Sequence, residues 1–156
     1  VMTFQQAVEQ ASPPVNTAYQ PGLQALPKRA RAKLKYRDSR KLTGSIDLDG
    51  ALADVCPNAP RWDYGLGITD ASGREQALWI ELHPATTSEI GVVLQKLAWL
   101  KNWLRTHGKA LGGITEPGAF YWLATDGVHI QRGSPQARKL SQSGLKAPCR
   151  QLLLPC

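Results

Sequence analysis

The sequence predicts one mixed α/β (α+β) domain, a central sheet with helices packed on its faces. Two runs of apolar/polar alternation, 62–69 and 77–83, flank a glycine-containing turn, the pattern of a β-hairpin. A following run, 88–107, repeats its apolar residues at helical spacing. The 156 residues, 42% of them hydrophobic, can bury one core without disulfides or metal staples.

The elements follow in order. Residues 3–11 read as a short helix that Ser12-Pro13-Pro14 stops. Residues 23–38 read as an amphipathic helix, with Leu23, Leu26, Ala30 and Leu34 inward and a cationic outer face. Residues 43–49 alternate as a strand, and a short helical turn at 50–55 and a proline-rich loop at 57–60 come next. In the hairpin, Trp62, Tyr64, Leu66 and Ile68 share one face with Leu78, Ile80 and Leu82. Asp63, Gly65, Gly67, Trp79, Glu81 and His83 share the other. The apolar face is expected to pack under helix 88–107, leaving a polar face where Gly65 and Gly67 make room for a ligand. Thr86 and Glu89 fit a capping box at the helix start, and His107-Gly108 a stop. Residues 119–124 and 127–131 read as a second hairpin around Thr125-Asp126-Gly127. The tail, 132–156, is expected to be irregular apart from a short helix at 135–142.

The net charge of +7 is unevenly placed. Residues 28–41 hold eight basic residues and one acid, 42–126 are net −4, and 127–156 carry five basic residues and no acid. The single domain thus divides into a helical basic part (1–41), an α/β core (42–131) and a basic tail (132–156). Basic ends around an acidic middle suit a polyanion, DNA or RNA first and an anionic membrane surface second, with an acidic protein partner as a further alternative. Lys28, Arg29, Arg31, Lys33, Lys35 and Arg37 are the candidate nucleic-acid-binding residues. Apolar runs are short, so no transmembrane segment is expected. Three cysteines without a C-x-x-C pattern suggest a reduced, cytoplasmic setting. There is no P-loop, H-E-x-x-H or G-x-S-x-G sequence, which weakens nucleotide-dependent, zincin and serine-hydrolase readings.

Register decides whether the polar face carries chemistry. A turn at 70–73 pairs positions that sum to 143 or 144, and matching like faces favours 144, which sets Asp63 opposite Glu81. Cross-strand neighbours lie about 4.5–5.5 Å apart at Cβ, and two carboxylates that close repel. A hard divalent cation, Mg²⁺ or Mn²⁺, offsets that repulsion. On a purely structural reading the two acids face solvent, the Trp99/Trp103 pair is core, and Asp47 and Asp49 are strand-end polar residues.

Asp63 on one strand, then Trp79-Ile80-Glu81-Leu82-His83 on the next, resembles the D-(x)n-E-x-K hairpin of the PD-(D/E)XK, restriction-endonuclease-like nucleases. The resemblance spans roughly residues 40–131 as element order, rests on a short motif, and points to a bacterial member. It implies a restriction-endonuclease-like core and metal-dependent hydrolysis of nucleic acid, or binding without cleavage if the site is degenerate. Asp63 and Glu81 would be the metal ligands. His83 stands where the motif has lysine, and Trp62 where it has proline. In some members the lysine sits on the following helix, which implicates Lys96, with Gln95 beside it. Glu9 on the first helix is a poorer match for a further acid.

Overall fold

The computed structural model describes residues 1–156. Its elements in chain order are α1 (Phe4–Glu9), α2 (Lys28–Arg31), β1 (Leu34–Lys35), β2 (Leu42–Asp47), α3 (Leu48–Leu52), β3 (Tyr64–Thr69) and β4 (Glu75–Thr86). Then come α4 (Ile90–Thr106), α5 (Lys109–Gly113), β5 (Phe120–His129), α6 (Pro135–Gln142) and β6 (Leu152–Leu153). Four strands form one mixed sheet in the order β2-β3-β4-β5, antiparallel except for the parallel β4–β5 pair. β1 and β6 form a separate two-stranded parallel sheet. The α+β class is as the sequence predicts. No helix is long and apolar enough to cross a membrane.

The hairpin register is the one that face matching favours. Tyr64 pairs with Ile80, Gly65 with Trp79 and Leu66 with Leu78, each pair summing to 144. The turn closes because Asp70 Oδ1 accepts from the Ser72 and Arg74 amides at 2.8 and 3.1 Å, while Gly73 takes φ +85°.

The packing corrects the expected division of faces. Helix α4 does not cover the Leu66–Ile80 face. Its Ile90, Val93, Leu97, Leu100 and Leu104 join Trp62, Trp79, Trp122 and α1 in one core on the opposite face. The reason is volume. A Cβ at Gly65 would come within 2.7 Å of Trp79 Cζ3, and one at Gly67 within 2.6 Å of Phe4 Cβ. These glycines make room for two aromatic side chains rather than for a ligand, and the expected polar face is interior. Trp62 also leaves the face of Tyr64, Leu66 and Ile68, because it precedes the strand and turns into the α4 core. Trp99 and Trp103 stack at 6.5 Å, and Trp103 is buried with that core.

The Leu66, Ile68, Leu78, Ile80, Leu82 and Leu123 face is also covered, by Leu26, Ala30, Leu34 and Leu154. The expected helix 23–38 is therefore reduced to the single turn Lys28–Arg31. Leu26, Ala30 and Leu34 are buried as predicted and Leu23 is half-buried, but Leu34 and Lys35 pair with Leu152 and Leu153 of the tail. A short, densely cationic helix gains little from its own hydrogen bonds, so ladder partners from the tail prevail.

The second expected hairpin is one strand. Thr125-Asp126-Gly127 does not reverse the chain. It is absorbed between the pairs His83–Ala124 and Ala85–Val128 as an irregularity in the parallel ladder. β4 runs on past Pro84 to Thr86 and so offers β5 a continuous partner, with the proline at the irregularity, where a missing N–H is tolerated. The expected capping box at Thr86 does not form. Thr87–Glu89 is a 3₁₀ turn without a side-chain cap, and Glu89 is engaged elsewhere. The reciprocal box is instead at α1, where Thr3 and Gln6 exchange bonds of 3.1 and 2.9 Å.

Candidate functional site

The register carries one residue past the start of β3 and brings Asp63 against Glu81. Asp63 N donates to Glu81 Oε1 at 3.2 Å, and Leu82 N donates to Asp63 Oδ2 at 2.9 Å. The Asp63 carbonyl accepts from the Leu48 and Asp49 amides at 2.9 and 3.2 Å, so the aspartate is fixed at a junction of β3 and α3. Glu81 is completely buried, which overturns the expectation of a solvent-facing or open ligand-facing position.

A buried carboxylate needs a counter-charge, and α4 supplies it. Lys96 Nζ donates to Glu81 Oε2 and lies 3.8 Å from Asp63 Oδ1. Lys96 shares this helix with Val93, Leu97 and Leu100, whose burial fixes the helix against the sheet. Packing α4 on the face that carries Glu81 is therefore what assembles the group. Gln95, the neighbouring candidate, is exposed, as is Glu9 on α1.

His83, two residues beyond Glu81 on the same strand face, extends the cluster. Its Nδ1 is 3.4 Å from Glu81 Oε2 and its Nε2 is 3.3 Å from Glu89 Oε2. The ring also meets Trp122 edge-on at 6.4 Å between centroids. Sequence reading missed Glu89 as a site residue because its position three after Thr86 suits a cap. Its place at the start of the helix that follows His83 is the signal that was available.

The electrostatics follow from this crowding. Burial, then the charge of Glu81, push Asp63 up to about 7, against the opposing pull of Lys96 and the Leu82 amide. The bond to Glu81 raises His83, with Glu89 adding to it, while burial and Lys96 oppose. Asp63 thus exchanges its proton near neutrality, and His83 favours its charged form.

Glu81 Oε1 and Oε2 and Asp63 Oδ2 all accept hydrogen bonds, which leaves Asp63 Oδ1 as the one oxygen of the pair without one. No group of three or more His, Cys, Asp or Glu side chains is arranged to hold a metal ion. Two carboxylates nonetheless suit Mg²⁺, which keeps several waters and takes one or two carboxylates together with substrate phosphates. The two carboxylates are the donor type such a cation takes, but the Lys96 ammonium occupies the place beside Glu81 Oε2. Its single ammonium offsets one carboxylate charge, and Asp63, pushed up to about 7, carries only part of the other near neutral pH.

The six basic candidates do not form one helical face. Lys28, Arg29, Arg31, Lys35 and Arg37 are exposed and Lys33 is half-buried. Arg29 and Lys33 line the largest cavity, about 800 Å³, together with Arg150, Gln151, Thr125 and Ala32. Arg37 lines a smaller one of about 380 Å³ with Asp38 and Lys41. None of the acidic cluster lines the largest cavity. Cys56, Cys149 and Cys156 are free thiols.

Comparison with protein families, with curated proteins and with solved structures finds no match to this chain.

Proposed function

We propose that this protein is a divalent-metal-dependent phosphodiesterase acting on DNA or RNA, with a restriction-endonuclease-like core. The observation that carries the reading is Lys96, delivered by α4 to the Asp63–Glu81 pair. An acid at the edge of β3, an acid on β4 and a lysine from the packed helix are the groups a phosphodiester hydrolase of the resembled type uses. Mg²⁺ or Mn²⁺ held by Asp63 and Glu81 would supply charge at the phosphoryl oxygen and a water acidic enough to attack near neutral pH.

The chain's own residues have separate parts in this reading. Asp63, pushed up to about 7, would give up its proton near neutrality to hold a cation. Lys96, freed from Glu81, holds an oxygen of the phosphate or the attacking water. His83, held in its charged form by Glu81 and Glu89, would give up a proton as a general acid. Exposed Arg29 and Arg31 attract the polyanion.

The test is cleavage of single- and double-stranded DNA and RNA with Mg²⁺ or Mn²⁺. Asp63→Asn, Glu81→Gln and Lys96→Met should each lower the rate by about 100-fold or more, with His83→Ala smaller. Absence of metal-dependent cleavage on every substrate would refute the reading.

A specific observation favours a second reading, a non-catalytic binding module for nucleic acid or an acidic protein. Glu81 is neutralised by Lys96 within the fold and is sealed from solvent. That reading expects salt-dependent binding with no turnover, unaffected by Asp63→Asn. The reduced, cytoplasmic setting suggested by the cysteines suits either.

A further inference from the structure

The 800 Å³ cavity is separate from the acidic cluster and is assembled from three distant parts of the chain. α2 contributes Arg29 and its C-terminal turn Lys33, β5 contributes Thr125, and the tail contributes Arg150 and Gln151. The tail is held there by backbone bonds on both sides. Ala124 N donates to Cys149 O at 2.8 Å, and Cys149 N to Trp122 O at 3.1 Å. Three residues later Leu152 N donates to Lys33 O at 2.9 Å, and Leu154 N to Lys35 O at 2.8 Å. Arg150 and Gln151 are thus the span between two fixed anchors, one on β5 and one on β1.

The charges in this cleft are unbalanced. No acidic side chain lines it, and Arg29, Lys33 and Arg150 are in none of the ion pairs of the fold, which involve Arg40, Arg61, His83 and Lys96. Three cations gathered around one polar cavity repel unless an anion offsets them. Thr125 and Gln151 add neutral hydrogen-bonding groups of the kind that position phosphate oxygens.

Its place in the sheet is informative. Thr125 follows Ala124, the partner of His83, so the cleft opens at the same end of β4 and β5 as the acidic cluster. Alternation puts it on the other face: Glu81 and Trp122 belong to the α4 side, Leu82 and Leu123 to the side that α2 and the tail cover.

We propose that this cleft anchors the phosphodiester backbone of a nucleic acid, whose strand crosses the end of the sheet between the cleft and the acidic cluster. The proposal rests on the nucleic-acid part of the reading above and adds a site in which the C-terminal tail is an essential wall. The contacts are to phosphate, so binding is strongly salt-dependent and indifferent to base sequence.

The experiment is fluorescence anisotropy of the full chain with labelled single- and double-stranded oligonucleotides in EDTA, over a range of salt. Replacing Arg29, Lys33 and Arg150 together by Ala should weaken binding at least about 10-fold and make the log–log salt slope shallower by about 2–3. Replacing Lys28, Arg31 and Lys35 together removes the same charge away from the cleft and should have a clearly smaller effect. Equal losses from the two triple variants would mean diffuse attraction and would overturn the proposal. Displacement of bound oligonucleotide by inorganic tripolyphosphate should depend on the cleft residues. Tripolyphosphate binding without oligonucleotide binding would instead make the cleft a free-polyphosphate site and also overturn it. Cleft-dependent binding without cleavage would uphold the anchor while refuting the nuclease reading. Metal-dependent cleavage and binding both unchanged in the cleft variant would do the reverse.

Discussion

The two faces of the sheet are covered by different kinds of chain. One lies under the regular helices α1 and α4; its core holds three tryptophans, Trp62, Trp79 and Trp122, and the fully buried Glu81 belongs to the same face. The other lies under an irregular basic segment and the tail, and its core is almost wholly aliphatic. The helix-covered face is large enough to enclose a charged group and to hold its counter-charge rigidly. The loop-covered face keeps its charges at the rim, around an open cleft. Buried charge is thus on the side covered by regular helices and solvated charge on the side built from single turns and two-residue strands.

The sharpest way to break the contrast is to remove a cation from each side. Lys96→Met leaves Glu81 buried without its ammonium and should cost about 3–5 kcal/mol in chemical denaturation. Glu81→Gln in the same chain should recover much of it, because the uncompensated charge is gone. Arg29→Ala, at the rim of the other face, should stay within about 0.5 kcal/mol.

The second effect is on pH dependence. Asp63 keeps its proton up to about 7 in the folded chain but loses it near the ordinary carboxylate range when unfolded. Between those limits the folded state binds more protons, so stability falls as pH rises. The contribution is complete at acid pH and is lost through about 7, with a fall of about 2 kcal/mol between roughly pH 5 and 7. His83, also raised, acts in the same direction. Urea denaturation across this range should show the fall, and Asp63→Asn should flatten most of it. An unchanged slope would mean that Asp63 is not the titrating group.

The smallest effects separate two glycines. Gly67→Ala puts a methyl group against Phe4 and should cost about 1–3 kcal/mol. Gly91→Ala, on α4 with open space around it, should instead stabilise by about 0.5–1 kcal/mol. Thermal melts of the two variants moving in the same direction would contradict the packing described for Phe4.

Much of the candidate site is legible in the sequence. Asp63, Glu81 and His83 follow from alternation and register, because a period of two and a four-residue turn leave few ways to pair the strands. Lys96 was reachable only through the family resemblance. Glu89, Thr125, Arg150 and Gln151 were not reachable, since each meets its neighbours across long stretches of chain with no periodic mark.

By itself the sequence determined the class of fold, the hairpin and its register, the long helix and the uneven charge. These depend on short-range periodicity and local turn chemistry, which are written residue by residue. Only the tertiary structure decided which face α4 covers, that the basic segment is a turn and a strand rather than a helix, and that Thr125–Gly127 continues a strand. Those outcomes rest on volumes and hydrogen-bond partners supplied from elsewhere: room at Gly65 and Gly67 for Trp79 and Phe4, a tail that pairs with Leu34 and Lys35, and a β4 long enough to hold β5. Because α4 took the face bearing Glu81, Lys96 became the partner of the two acids.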